Sequence, residues 1–166
     1  MIVRDETPAD RDAIAAVTAA AFRDHPFSRQ TEHLIVDALR AAGALALSLV
    51  AERDGAVVGH VGFSPLTVSD GATGWYGVGP LSVRPDCQRQ GIGRALMSEG
   101  LGRLRQAGAA GCMLVGDPAY YTWFGFRTDP GVILDGVPPE VFLVLPFGAA
   151  VPSGRVTFHP AFGATA

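Results

Sequence analysis

The sequence predicts a mixed α/β fold, a β-sheet with helices packed on it. Two amphipathic helical stretches open the chain, three apolar strand-like stretches follow, and helix and strand signals then alternate to the end. With 166 residues, no internal repeat and no low-complexity linker, residues 1–166 are expected to form one domain. A chain of this length buries roughly two thirds of its unfolded surface, so no disulfide or metal is needed for it to fold.

The elements follow in order. Thr7-Pro8-Ala9-Asp10 reads as a helix start, with Thr7 as cap, Pro8 at the first helical position and Asp10 near the positive helix end. Ile14, Val17, Ala21 and Phe22 then recur at helical spacing, and His25-Pro26 ends the pattern. A second helix is expected from about Thr31, with Leu34, Ile35, Ala38 and Leu39 as its apolar stripe and Gly43 as its stop. Residues 46–52 and 56–65 read as two strands joined by a tight turn, because Asp54-Gly55 supplies the positive φ angles such hairpins need. A Gly/Ser/Asp loop at 69–74 leads into a third strand at 75–83. A polar loop at 84–90 precedes a helix from about 91 to 107 that stops at Gly108. Residues 112–115 read as a buried strand, 119–124 as a short helix, and 140–146 and 155–159 as closing strands.

Composition narrows the function classes. Hydrophobic residues make up 48% and charged residues 17%, which excludes a disordered chain. Thirteen basic against sixteen acidic residues give a net charge of −3, so a nucleic-acid partner is not expected. Mean hydropathy is +0.25, yet Arg, Asp, Gly or Pro interrupts every apolar run well short of the ~20 residues of a membrane span. All thirteen basic residues are Arg, so no mechanism can use a lysine side chain of this chain. Cys87 and Cys112 are too few and too far apart for a disulfide framework or a zinc site, and read as reduced thiols. No metal is expected. The first residues, Met1-Ile2-Val3-Arg4-Asp5-Glu6, lack the features of a signal peptide, and a cytoplasmic location is expected.

The stretch that carries chemistry is Leu81-Ser82-Val83-Arg84-Pro85-Asp86-Cys87-Gln88-Arg89-Gln90-Gly91-Ile92-Gly93-Arg94. A strand ends, a polar loop turns, and a helix opens at Gly91-Ile92-Gly93. Backbone N–H groups at a helix N-terminus bind anions, and the helix dipole reinforces them. Glycine at 91 and 93 lets the backbone approach a phosphate without a Cβ in the way, and Arg89 and Arg94 add positive charge. A Walker loop is excluded because no Gly-Lys-Ser/Thr follows. A dinucleotide fingerprint is excluded because position 96 is Leu and the motif follows three strands rather than one.

Gln88-Arg89-Gln90-Gly91-Ile92-Gly93 resembles the Q/R-x-x-G-x-G/A signature of the GNAT superfamily of acyl-CoA-dependent N-acetyltransferases. Tyr121-Thr122-Trp123-Phe124-Gly125-Phe126 is similar to that family's Tyr-x-x-x-Gly-Phe element. Gly59-His60-Val61-Gly62-Phe63-Ser64-Pro65, Gly116-Asp117-Pro118-Ala119-Tyr120-Tyr121 and His159-Pro160-Ala161-Phe162 narrow the resemblance to its YhbS-like branch. The resemblance implies a mostly antiparallel central sheet with helices on both faces. It implies acetyl-CoA as acyl donor, its pyrophosphate held by the main chain of residues 88–93 with Arg89 and Arg94 nearby, and its pantetheine arm paired along Leu81, Ser82 and Val83. Two strands splay to admit the thioester, and Tyr121 takes the position of the general acid that protonates the CoA sulfur. Tyr120 is expected to be structural.

The acceptor is an amine whose identity the sequence leaves open. Many relatives carry a Glu as general base on the strand matching residues 75–83, but here that strand has no carboxylate. A water relay, His60, Glu32 or His33 remain as candidates. Asp117, where many relatives carry Asn, is expected to cap the short helix after it. Cys87 is expected to be a partly exposed, passive thiol. Two other functions stay open: a CoA-binding regulatory module without transferase activity, and an acyltransferase using a longer acyl-CoA. A homodimer is common among relatives, and the apolar stretch 137–147 is where its contacts would be sought.

Overall fold

The structure, a computed structural model, describes residues 1–26 and 28–165. The strands are β1 (Ile2–Asp5), β2 (Leu47–Arg53), β3 (Ala56–Pro65), β4 (Thr67–Val68), β5 (Trp75–Val83), β6 (Gly111–Val115), β7 (Val132–Ile133), β8 (Phe142–Pro146) and β9 (Gly154–Thr157). The helices are α1 (Arg11–Phe22), α2 (Glu32–Ala41), α3 (Ile92–Gln106) and the single turn α4 (Pro118–Tyr121). Six strands follow the order β1-β2-β3-β5-β6-β8, and β4-β9-β7 form a smaller sheet. The β1–β2, β2–β3 and β6–β8 pairs are antiparallel, and β5–β6 is parallel. The expected mixed, mostly antiparallel sheet is therefore present. The chain folds as two compact units: Met1–Phe63, Gly79–Leu101 and the segment from Pro160 make one, Ser64–Val78 and Gly102–His159 the other.

In the first unit the β2–β3 turn has Asp54 at φ 53° and Gly55 at φ 77°. Both are left-handed, which matches the right-handed twist of the strands they join. Val50 lies opposite His60 in the register and clusters with Ile14 of α1 and Val36 of α2. Gly59 and Phe63 point to the other face. A Cβ on Gly59 would lie 3.0 Å from Ile92 and Leu96 of α3, and a Cβ on Gly100 of α3 would collide with the Phe63 ring. Helices thus cover both faces here, α1 and α2 on one and α3 on the other. Gly100 is required because it lets α3 settle on an aromatic ring.

The start of α1 has Thr7 as N-cap, Pro8 at the first position and Asp10 in the first turn, as expected. Pro8–Asp10 forms a 3-10 turn, and the Asp10 carboxylate accepts the Thr7 N–H at 2.7 Å and the Thr7 hydroxyl at 3.1 Å. Thr7 and Asp10 thus close a capping box. Arg4 Nη1 donates to the same carboxylate at 2.7 Å, and holds its pKa far below the usual carboxylate range.

In the second unit β5 pairs with β6 through Trp75↔Gly111, Tyr76↔Cys112 and Gly77↔Met113. Trp75, Met113, Phe142 and Val144 join Leu66, Val68, Val132 and Val156 in one core cluster. Phe142, Leu143, Val144 and Leu145, the heart of the apolar 137–147 stretch, are buried within this chain and are not an exposed patch. β8 is the last strand in its sheet, and its outer side is bridged by Arg127, whose N–H and C=O bond the C=O and N–H of Val144 at 3.0 and 2.8 Å.

Candidate functional site

The strand–loop–helix segment of the first unit adopts the geometry its sequence implies. The Ala95 N–H bonds the Gly91 carbonyl at 3.0 Å and closes the first turn of α3. Ile92 and Gly93 open that turn, where backbone N–H groups point out of the helix end. Gly91 has φ 85° and is exposed, and a Cβ there would meet nothing within 4 Å. Arg89, at φ 62°, is also left-handed. The Ile92 side chain is buried against Gly59, leaving its backbone as the part that faces the loop. Arg89 and Arg94 are exposed.

Side chains in the loop brace it. Gln88 Nε2 donates to the Val83 carbonyl at 3.1 Å, tying the strand end to the loop. Arg84 and Asp86 form an ion pair at 2.6 Å. Arg53, the last residue of β2, donates to Gln90 Oε1 at 2.7 Å and to Cys87 Sγ at 3.0 Å. Cys87 is 1% exposed, so the expectation of a partly exposed thiol is corrected: the 3-10 turn Pro85–Cys87 folds it inward under Arg53. Cys112 is also buried, and burial pushes its thiol up to about 12.

Ser82 is buried on β5, its hydroxyl 3.2 Å from that of Thr18 on α1. The Thr18 proton is committed to the Ile14 carbonyl at 2.7 Å, so Ser82 is the donor. Its side chain fastens β5 to α1, while Leu81 and Val83 on either side are half-buried.

In the second unit Tyr121 ends α4. Its ring meets Tyr120 edge-on at 4.8 Å between centroids and Phe126 at 6.0 Å. It lies over Gly116, where a Cβ would collide with it. Burial, with Tyr120 and Asp117 adding to it, pushes the Tyr121 phenol well above its ordinary pKa. Asp117 accepts the Ala119 N–H at 2.9 Å and caps the turn, as expected.

One polar cluster in the first unit was not foreseen as a cluster. Arg40 of α2 donates Nε to Glu6 Oε2 at 2.9 Å and Nη2 to Glu6 Oε1 at 3.1 Å. Ser48 of β2 donates its hydroxyl to Glu6 Oε1, and its oxygen lies 2.8 Å from His60 Nε2. Burial works against the charged form of Glu6, but Arg40 and Ser48 outweigh it and hold the carboxyl below its ordinary value. His60 is fully buried, which lowers its pKa to about 4. Of the other base candidates, Glu32 accepts a hydrogen bond from the Ser28 hydroxyl, and His33 is half-buried on α2.

A family model described as "Acetyltransferase (GNAT) family" matches residues 14–126. The chain belongs to the GNAT acetyltransferase family. The uncharacterized N-acetyltransferase YhbS of Escherichia coli (strain K12) is 39% identical over 128 residues, 76% of this chain and 74% of that protein. A GNAT family acetyltransferase from Brucella melitensis, solved in complex with acetyl-CoA, is 50% identical with a TM-score of 0.87, covering 97% of each chain. The crystal structure of Escherichia coli YhbS in complex with CoA is 32% identical with a TM-score of 0.87, covering 99% of this chain and 93% of that one. The resemblance to the YhbS-like branch of the GNAT family therefore holds along nearly the whole chain. Among the described residues of this GNAT protein, no helix is long and apolar enough to cross a membrane, and no group of three or more His, Cys, Asp or Glu could hold a metal ion.

The sequence-predicted residues divide by unit. Leu81, Ser82, Val83 and 88–94 lie together in the first, and Tyr121 lies in the second. Arg53 and the Glu6–Ser48–Arg40 partners of His60 were missed. The Asp-Gly turn signal that located the β2–β3 hairpin could have drawn attention to Arg53 beside it.

Proposed function

We propose that the chain is an acetyl-CoA-dependent N-acetyltransferase acting on an amine acceptor yet to be identified, with residues 1–166 working as one catalytic domain. The observation that carries this reading is the start of α3: exposed Gly91 at φ 85°, with open space above it at a helix N-terminus. The relatives solved with acetyl-CoA and with CoA support the same ligand.

The residues present fit that ligand. The main chain of Gln88, Arg89, Gln90, Gly91, Ile92 and Gly93 would hold the pyrophosphate, with Arg89 and Arg94 supplying charge. The main chain of Leu81, Ser82 and Val83 would run along the pantetheine arm, and an N–H there would polarise the acyl carbonyl. Bound acetyl-CoA supplies an activated acyl group on sulfur. Tyr121, kept protonated by burial, holds a proton at Oη for the departing sulfur. No Cβ is tolerated at Gly116 because the Tyr121 ring occupies that space, which fixes the ring's position.

Calorimetric titration with acetyl-CoA and CoA, combined with thiol release over a panel of amines, tests this reading. Binding with amine-dependent release supports it, and failure to bind either ligand removes it. β5 carries no carboxylate, which favours one second reading: a CoA-binding regulatory module, for which binding would occur without release. Competition by longer acyl-CoAs would distinguish a transferase of longer chains. We further propose a cytoplasmic location, in keeping with the two free cysteines, and a homodimer, which light scattering reads directly.

A further inference from the structure

We propose that His60 is the proton acceptor of the transfer reaction: Glu6 and Ser48 lock its ring with the proton on Nε2, and its Nδ1 lone pair receives the amine's proton through one water. This rests on the function proposed above. The tautomer follows from counting protons. Ser48 has one hydroxyl proton, committed to the Glu6 carboxylate, which Arg40 keeps ionised through two hydrogen bonds. Toward His60, 2.8 Å away, Ser48 therefore has only lone pairs, so Nε2 carries the hydrogen. Nδ1 is left as a bare lone pair. It is buried and has no hydrogen-bond partner among the described residues.

A buried acceptor without a donor is costly, and in native structures such atoms call for a reason. The position of the ring supplies one. Its Cε1, the atom next to Nδ1, lies 3.7 Å from where a Gly62 Cβ would be, and the Gly79 carbonyl oxygen lies 3.4 Å from the same point. Across Gly62 the ring thus faces β5 two residues before Leu81, on the strand proposed to carry the acyl group. β5 lacks a carboxylate, and a neighbouring strand provides the base instead.

Proton transfer to His60 follows formation of the C–N bond. The amine's lone pair forms the C–N bond to the acyl carbon, the nitrogen becomes positively charged, and its N–H becomes far more acidic than that of the free ammonium. That proton passes to Nδ1, the C–S bond breaks, and the thiolate takes a proton from the acid assigned above. His60 then returns its proton to solvent, and the Tyr121 phenolate takes one up, which restores both groups. The charged groups facing the ring are Glu6, 4.0 Å from Nε2, and Arg40 behind it; Glu6 favours the imidazolium and Arg40 opposes it.

Three measurements on the full chain test this. In calorimetry with acetyl-CoA, wild type and His60→Gln bind alike; no binding by wild type removes the function itself, whereas binding lost only in the variant overturns the present assignment. Thiol release from acetyl-CoA, with water and then with primary amines as acceptors, falls about 100-fold in His60→Gln. Ser48→Ala, which keeps the histidine, falls less. Equal rates in wild type and His60→Gln overturn the proposal. Histidine-labelled protein examined by long-range proton–nitrogen NMR carries the His60 proton on Nε2. A proton on Nδ1 in its place overturns the proposal independently of turnover.

Discussion

Arg53 and Gln90 stand 37 positions apart in the chain, and their side chains meet at 2.7 Å. The second branch of the same guanidinium reaches Cys87 at 3.0 Å. The end of β2 thereby clamps both ends of the stretch that leads into α3. Arg53→Ala should weaken acetyl-CoA binding about 10-fold, since one or two hydrogen bonds to the loop are lost, with little change in thermal stability. Arg53→Lys should recover part of the affinity. Calorimetry with each variant decides, and an unchanged Kd in Arg53→Ala would show that the loop holds itself.

Gly91 separates two effects. Its left-handed φ disfavours any L side chain by about 1 kcal/mol, so Gly91→Ala should weaken acetyl-CoA about five-fold. Gly91→Glu adds a carboxylate where a pyrophosphate is expected, and should abolish measurable binding. Tight binding by Gly91→Glu would remove the loop from the donor site.

Tyr121→Phe should lower turnover about 100-fold while acetyl-CoA affinity stays nearly constant, the pattern of a lost proton donor. Gly116→Ala should act in the same direction with the phenol intact, because the new Cβ displaces the ring. Steady-state thiol release beside calorimetry measures both. Full turnover in Tyr121→Phe would leave the tyrosine a packing role.

His60 links folding to pH. Its folded pKa of about 4 lies below the ordinary 6.5, so between these values the unfolded chain binds more protons. Stability is therefore highest above about pH 6.5 and falls as pH drops toward 4. From about pH 7 to about pH 5 the loss is roughly 2 kcal/mol. Glu6, whose folded pKa lies below its ordinary 4.5, adds its own loss only at lower pH. Urea unfolding at the two pH values should show a smaller decline in His60→Gln than in wild type, and equal declines would contradict the burial of a neutral ring.

Much of the architecture is legible in the sequence where local chemistry and tertiary demand agree. β3 and β5 occupy the expected residues 56–65 and 75–83, because continuous apolar runs end there at turn residues. β4 and β7 are two residues each and exist through pairing with β9, at Thr67↔Thr157 and Val132↔Gly154. No window along the chain contains that information. β1 is four residues with two charges, held by its ladder to β2. The anion-binding loop could be read because its residues are contiguous. The Glu6–Ser48–His60 chain could not, since its members come from three segments and none is unusual alone. The burial of Cys87 was hidden by its polar neighbours in sequence, which turn outward while it turns in.

The bridge between Arg127 and Val144 bears on how copies of this protein can meet. A terminal strand normally offers a row of unpaired backbone groups to any other strand that approaches. Here the central N–H and C=O of that row are already bonded, to a short crossing of the chain's own backbone. Two molecules cannot zip together there into a continuous ladder without first prising Arg127 away. Self-association along that margin must therefore use side-chain contacts. The same closure guards the margin against the runaway strand addition that begins fibril growth.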